Sequence, residues 1–144
     1  MASTWLFFYA ALTLLLFHSS AATTVTLYNK CTEPVWPGIQ PSAGQRLIAG
    51  GGFELLRNRD FNLKLPSLWS GRFWGRHGCV FDCTGRGGCA TGDCGGSLLC
   101  NGLGGSPPAT LAEFTLGHDL DFYDVSLVDG YNLAMSIQPY KGKG

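Results

Sequence analysis

The first 22 residues of this 144-residue chain lack any charged side chain. Within them an apolar run from Trp5 to Phe17 is followed by Ser19, Ser20, Ala21 and Ala22. The run has thirteen residues, short of the about 20 that a membrane-spanning helix needs. A short apolar core ahead of small residues predicts a secretory signal over residues 1–22. No second apolar run follows, so no integral membrane segment is expected after the signal. A basic excess is also missing. Ten Lys and Arg balance ten Asp and Glu, and zero net charge disfavours a nucleic-acid partner. There is no Asn-x-Ser/Thr acceptor, so N-glycosylation is not expected. There is no Gly-x-Ser-x-Gly and no evident Ser-His-Asp set, which speaks against a nucleophile-elbow hydrolase. Gly102-Leu103-Gly104-Gly105 lacks the strand–helix context of a phosphate cradle. His77 and His118 lack metal-like partner spacing and are expected at the surface. Neither a cofactor nor a metal is called for.

The chain is rich in glycine and cysteine. Setting aside 22 of 144 residues leaves 122, which hold all 21 Gly and all six Cys. Glycine at roughly 17% is more than twice its usual ~7%, which argues against long helices. Aromatic and aliphatic residues are too abundant for disorder. Charge is uneven: eight basic residues face four acids up to Arg86, and six acids face Lys141 and Lys143 after it.

Residues 23–30 alternate, with Val25 and Leu27 on one side and Thr24 and Thr26 on the other, and predict a strand. Val35 and Trp36 suggest a short second strand broken by Pro34 and Pro37. Residues 38–52 carry loop chemistry, including Gly50-Gly51-Gly52. Residues 53–56, 61–65, 109–117, 122–126 and 132–137 supply further strand segments, and residues 71–76 carry aromatics able to pack inward. Many short strands between Gly/Pro turns indicate a mainly β fold, a sandwich or barrel.

Residues 78–106 contain ten Gly and five of the six Cys. Such a segment needs covalent staples to limit its unfolded-state entropy. Cys79, Cys83, Cys89, Cys94 and Cys100 lack the Cys-x2-Cys spacing usual for zinc. An oxidising compartment favours disulfides instead. Six cysteines allow about 15 pairings, so spacing alone assigns none.

The stretch from Gly85 to Cys100, with Cys89-Ala90-Thr91-Gly92-Asp93-Cys94, resembles the signature of the thaumatin-like proteins, plant pathogenesis-related family 5. Gly71–Arg76, Pro107–Phe114 and Asp121–Asn132 are similar to further family blocks in family order, so the resemblance extends over about residues 23–140. It implies an incomplete thaumatin-like β-sandwich with a disulfide-stapled loop region at 78–106, and the pairs Cys79–Cys89 and Cys94–Cys100. It also implies that Cys31 is normally tied to a cysteine near the family's C-terminus, which lies beyond Gly144. Cys83 has no counterpart in that pattern. These two are expected to bond each other, bond another chain or stay free. The family continues for roughly as long again, so a chain truncated after the N-terminal half is expected, with exposed sheet edges open to self-association.

The resemblance places Arg72, Glu113, Asp124 and Asp129 in the family's acidic cleft, with a fifth residue, an aspartate, in the continuation. Carboxylates beside one Arg suit two chemistries: hydrogen bonding to sugar hydroxyls, or glycoside hydrolysis with Glu113 as acid and Asp124 or Asp129 as the second carboxylate. Trp36, Trp69, Trp74, Tyr123 and Tyr131 are candidates for stacking on sugars, although packing is the commoner role of such residues. The implied function is a secreted antifungal defence protein, apoplastic or vacuolar, that binds β-1,3-glucan, another fungal wall polysaccharide or a membrane surface. The alternatives are a weak endo-β-1,3-glucanase and a non-functional truncated isoform.

Overall fold

The computed structural model describes residues 22–140. The signal expected over 1–22 falls, but for Ala22, outside them. Eight strands appear in order: β1 (Thr23–Tyr28), β2 (Trp36–Pro41), β3 (Asp60–Leu65), β4 (Ser70–Arg76), β5 (Val80–Phe81), β6 (Gly87–Gly88), β7 (Leu111–Thr115) and β8 (Phe122–Ser126). The helical content of the described residues is one 3-10 turn, Ala49–Gly51. No helix among them is long and apolar enough to cross a membrane. The fold is mainly β, and the described residues hold no long helix, as the glycine content predicts.

Three antiparallel sheets form. β1 pairs with β3, β5 with β6, and a four-stranded sheet runs in the order β2-β4-β7-β8. Alternation along each strand decides what faces inward. Ile39, Phe73 and Ala112 stand side by side in register across β2, β4 and β7. They meet Leu63 and Leu65 of β3 in one buried cluster, which Trp69, Ile48 and Leu116 complete. Val25 and Leu27 of β1 pack against it. This is an incomplete sandwich, two strands laid over four.

The opposite face of the four-stranded sheet has a different cover. Trp74 and Leu111 project there and are buried with Ala109 and the Cys94–Cys100 disulfide. The loop region 78–106 therefore acts as a lid on one end of this face. Trp74 donates its indole N–H to the Gly92 carbonyl at 2.8 Å. Gly38 lies beneath the indole, where any Cβ would collide with the ring. Arg76, also on this face and wholly buried, clamps the lid down. Its guanidinium donates to the carbonyls of Trp36, Pro37, Ser97 and Leu98 and to Cys94 Sγ, at 2.8–3.3 Å.

The disulfides Cys79–Cys89 and Cys94–Cys100 form as the resemblance implies. Cys31 and Cys83 are free and exposed. Three expectations about strands need correction. β2 continues through Pro37 to Pro41, inside what reads as a loop at 38–52. Residues 53–56 form no strand, only a bridge of Leu55 to Val35, because the glycine turn before them and the Asn58 turn (φ 55°) after them leave no room for a ladder. Residues 132–137 are irregular. Met135 and Ile137 pack on the core, but among the described residues no strand forms a ladder with that segment.

Candidate functional site

Where the lid ends, the outer face of the four-stranded sheet lies open. The β2–β4 register sets Gln40 opposite Arg72. The β4–β7 register sets Arg72 opposite Glu113. The β7–β8 register sets Glu113 opposite Asp124. Directly opposed residues in antiparallel strands share a face, with Cβ atoms about 4.5–5.5 Å apart. Gln40, Arg72, Glu113 and Asp124 therefore form one polar row across four strands. Arg72 lies between a neutral amide and the first of two adjacent carboxylates.

Asp129 joins this row from the turn after β8. Its carboxylate reaches Arg72 Nη1 at 3.9 Å, with about a third of the Asp129 side chain exposed. At that separation the contact is Coulombic rather than a hydrogen bond. A partly exposed pair of this kind contributes about 0–1 kcal/mol. It is the ion pair formed among the described residues, so most of the uneven charge is solvated. The turn is fixed by the bond from the Ala109 N–H to the Asp129 carbonyl at 2.9 Å. Asn132 accepts from the Thr110 N–H at 2.8 Å and donates to the Gly75 carbonyl at 2.8 Å.

A shallow depression of about 270 Å³ lies over the row, lined by Gln40, Pro41, Ser42, Ala43, Gly71, Arg72, Glu113, Phe114 and Thr115. Asp124 and Asp129 border it without lining it. Gln40 donates to the Gly102 carbonyl at 3.3 Å, which joins the depression to the edge of the lid. Its polar row and open mouth suit hydrogen bonding to a hydroxyl-rich ligand. No group of three His, Cys, Asp or Glu side chains among the described residues is placed to hold a metal.

The aromatic candidates divide. Trp69 and Trp74 are buried in the two cores. Trp36 is half-buried and meets Phe81 edge-on. Tyr123 lies on the inner face beside Phe114, opposite to the acids. Tyr131 is exposed, two residues past Asp129. None of the five stands in the polar row. Two neighbours of the row escape a reading of the sequence. Gln40 is hidden in the segment read as a loop. Phe122 is two residues before Asp124 in the same strand, so the alternation of β8 alone would have placed it on the acids' face. His77 and His118 are exposed, as expected.

Comparison with known proteins adds to this geometry. The model of the Thaumatin family matches residues 29–143. A thaumatin-like protein of Arabidopsis thaliana is 74% identical over the whole chain, which covers 58% of that relative. The pathogenesis-related thaumatin-like protein 3.5 of Cryptomeria japonica is 54% identical, over 87% of this chain and 52% of its own. A glucan endo-1,3-beta-glucosidase of Prunus avium is 48% identical, over 93% of this chain and 56% of its own. Among solved structures, the thaumatin-like xylanase inhibitor TLXI superposes with a TM-score of 0.63 at 38% identity, covering 74% of this chain and 70% of that one. The chain thus spans about half the length of the curated relatives it matches.

Proposed function

Since the chain belongs to the thaumatin family, we propose that it is a secreted defence protein that binds fungal wall polysaccharide, β-1,3-glucan first, along the row of Arg72, Glu113 and Asp124. The observation that carries this reading is the register. Three adjacent strands place a guanidinium and two carboxylates side by side on an open face. A planar donor fork beside acceptor-only carboxylates matches the mixed donor and acceptor character of sugar hydroxyls. The pathogenesis-related relative supports the defence role. Retention on insoluble β-1,3-glucan tests it. The protein should be held by the glucan, and Glu113→Gln with Asp124→Asn should release most of it. Passage of the unsubstituted protein through the glucan would overturn the reading and favour a non-functional isoform.

A second reading, a weak endo-β-1,3-glucanase, draws on the Prunus avium relative's name and on the adjacency of Glu113 and Asp124. A glycosidase acid works in desolvated surroundings, whereas Asp124 is exposed and Glu113 half-buried. Binding is therefore the preferred function. Reducing-sugar release from laminarin above a Glu113→Gln control would reverse that preference.

A further inference from the structure

The polar row alone would satisfy sugar hydroxyls and leave the apolar C–H face of a pyranose ring in water. Ligand sites normally combine a few placed polar groups with apolar or aromatic surface. The structure supplies such a surface in one position. In β8 the side chains of Phe122 and Asp124 point to the same face, two residues apart. Phe122 lies opposite Thr115, and Thr115 lines the depression over the row. Ser70 continues the same line on β4. The row next to Arg72, Glu113 and Asp124 thus ends in an aromatic ring. Phe122 is 65% exposed, and none of the aromatic pairs among the described residues includes it. Its inward counterpart Tyr123, one residue on, does pack, against Phe114.

We propose that Phe122 is the stacking platform of the site: a sugar ring lies with its C–H face on the phenyl ring while its hydroxyls reach Glu113 and Asp124. The proposal rests on the carbohydrate reading above and deepens it. Stacking acts through the ring face, so aromatic character matters as well as apolar bulk.

Titrated binding to insoluble β-1,3-glucan tests this. Phe122→Ala and Phe122→Leu should each weaken glucan binding about tenfold, the loss of roughly one stacking contact, while Phe122→Tyr and Phe122→Trp keep it. The side chain is exposed at a sheet edge, so melting temperature should hold. The Tyr and Trp variants also show that the position tolerates change. Equal binding by the Ala variant and the unsubstituted protein overturns the platform and leaves the polar row intact. Full binding by Leu with loss in Ala overturns it too, because bulk alone then suffices. Failure of the unsubstituted protein to bind glucan overturns the carbohydrate reading itself and takes this one with it.

Discussion

Arg72 and Arg76 lie four residues apart in one strand and project to the same face, yet their roles differ. The lid covers Arg76 and stops short of Arg72. Nothing in Gly71–Arg76 as a sequence separates the two. The distinction is set by a contact with residues 94–98 that becomes visible only when the fold is assembled. Burial pushes the Arg76 pKa down to about 10, and the charge of Asp93 works against that shift. The folded value is the lower one, so above about pH 10 the unfolded chain holds more protons and this group alone would add stability there. At neutral pH its burial is a cost that four carbonyls and a sulfur offset. Arg76→Lys keeps the charge and loses the fork, leaving buried carbonyls unpaired. It should lower unfolding stability by at least about 2 kcal/mol, read from the denaturant midpoint. At the β5–β6 turn, the Asp82 carboxylate accepts from the Thr84 hydroxyl and from the Thr84 and Arg86 N–H groups. The Thr84 hydroxyl first, then the two backbone donors, hold its pKa below the usual carboxylate value. Asp82 should therefore stay ionised to lower pH than a free aspartate, and any stability it gives is lost as pH falls through that lowered value. An NMR titration should show the Asp82 pKa rising in Thr84→Ala.

At the scale of elements, alternation and turn residues locate β1, β3, β7 and β8, the first three because each has one face on a core. They fail on β2 for a physical reason. Proline interrupts a central strand but is tolerated at a sheet edge, where its missing donor faces away from the ladder. β2 is the edge strand next to β4, so Pro37 and Pro41 fit within it. The opposite failure occurs at 132–137. Alternating burial there is real, with Leu133, Met135 and Ile137 less exposed than Ala134 and Ser136. Alternation reports that a face is covered, and a ladder also needs a neighbour. The loop region 78–106 has a hairpin of two-residue strands and isolated bridges for a framework, so its disulfides bear much of its order. Closing loops of 10 and 6 residues should contribute about 3 and about 2 kcal/mol respectively. The Cys94→Ala/Cys100→Ala protein should lose the smaller amount plus part of the Trp74 packing, seen as an earlier unfolding midpoint. Thiol counting checks the pairing directly: two reactive groups, Cys31 and Cys83, in the native protein, and six after reduction in denaturant.

At the scale of the whole molecule, two strands face four. Along the inner row, exposure runs from 0% at Ile39 through 3% at Phe73 and 6% at Ala112 to 40% at Val125. The covering layer thus gives out over β8. Tyr123 shares that uncovered inner face, and Leu127 and Val128 follow the strand, exposed at 57% and 90%. β8 is also the last strand of its sheet, so its outer backbone groups are open to another strand. An apolar face beside an open edge favours association. A protein of residues 23–144 should elute in sizing chromatography as a species that grows with concentration. Val125→Lys places a charge on the inner face of the edge strand, a device that blocks edge pairing, and should return the protein to monomer. The substitution lies on the face opposite Glu113 and Asp124, so glucan retention should survive it. A concentration-independent monomer before any substitution would show that β8 is protected in solution. The open inner row would then have to be covered by the protein's own chain.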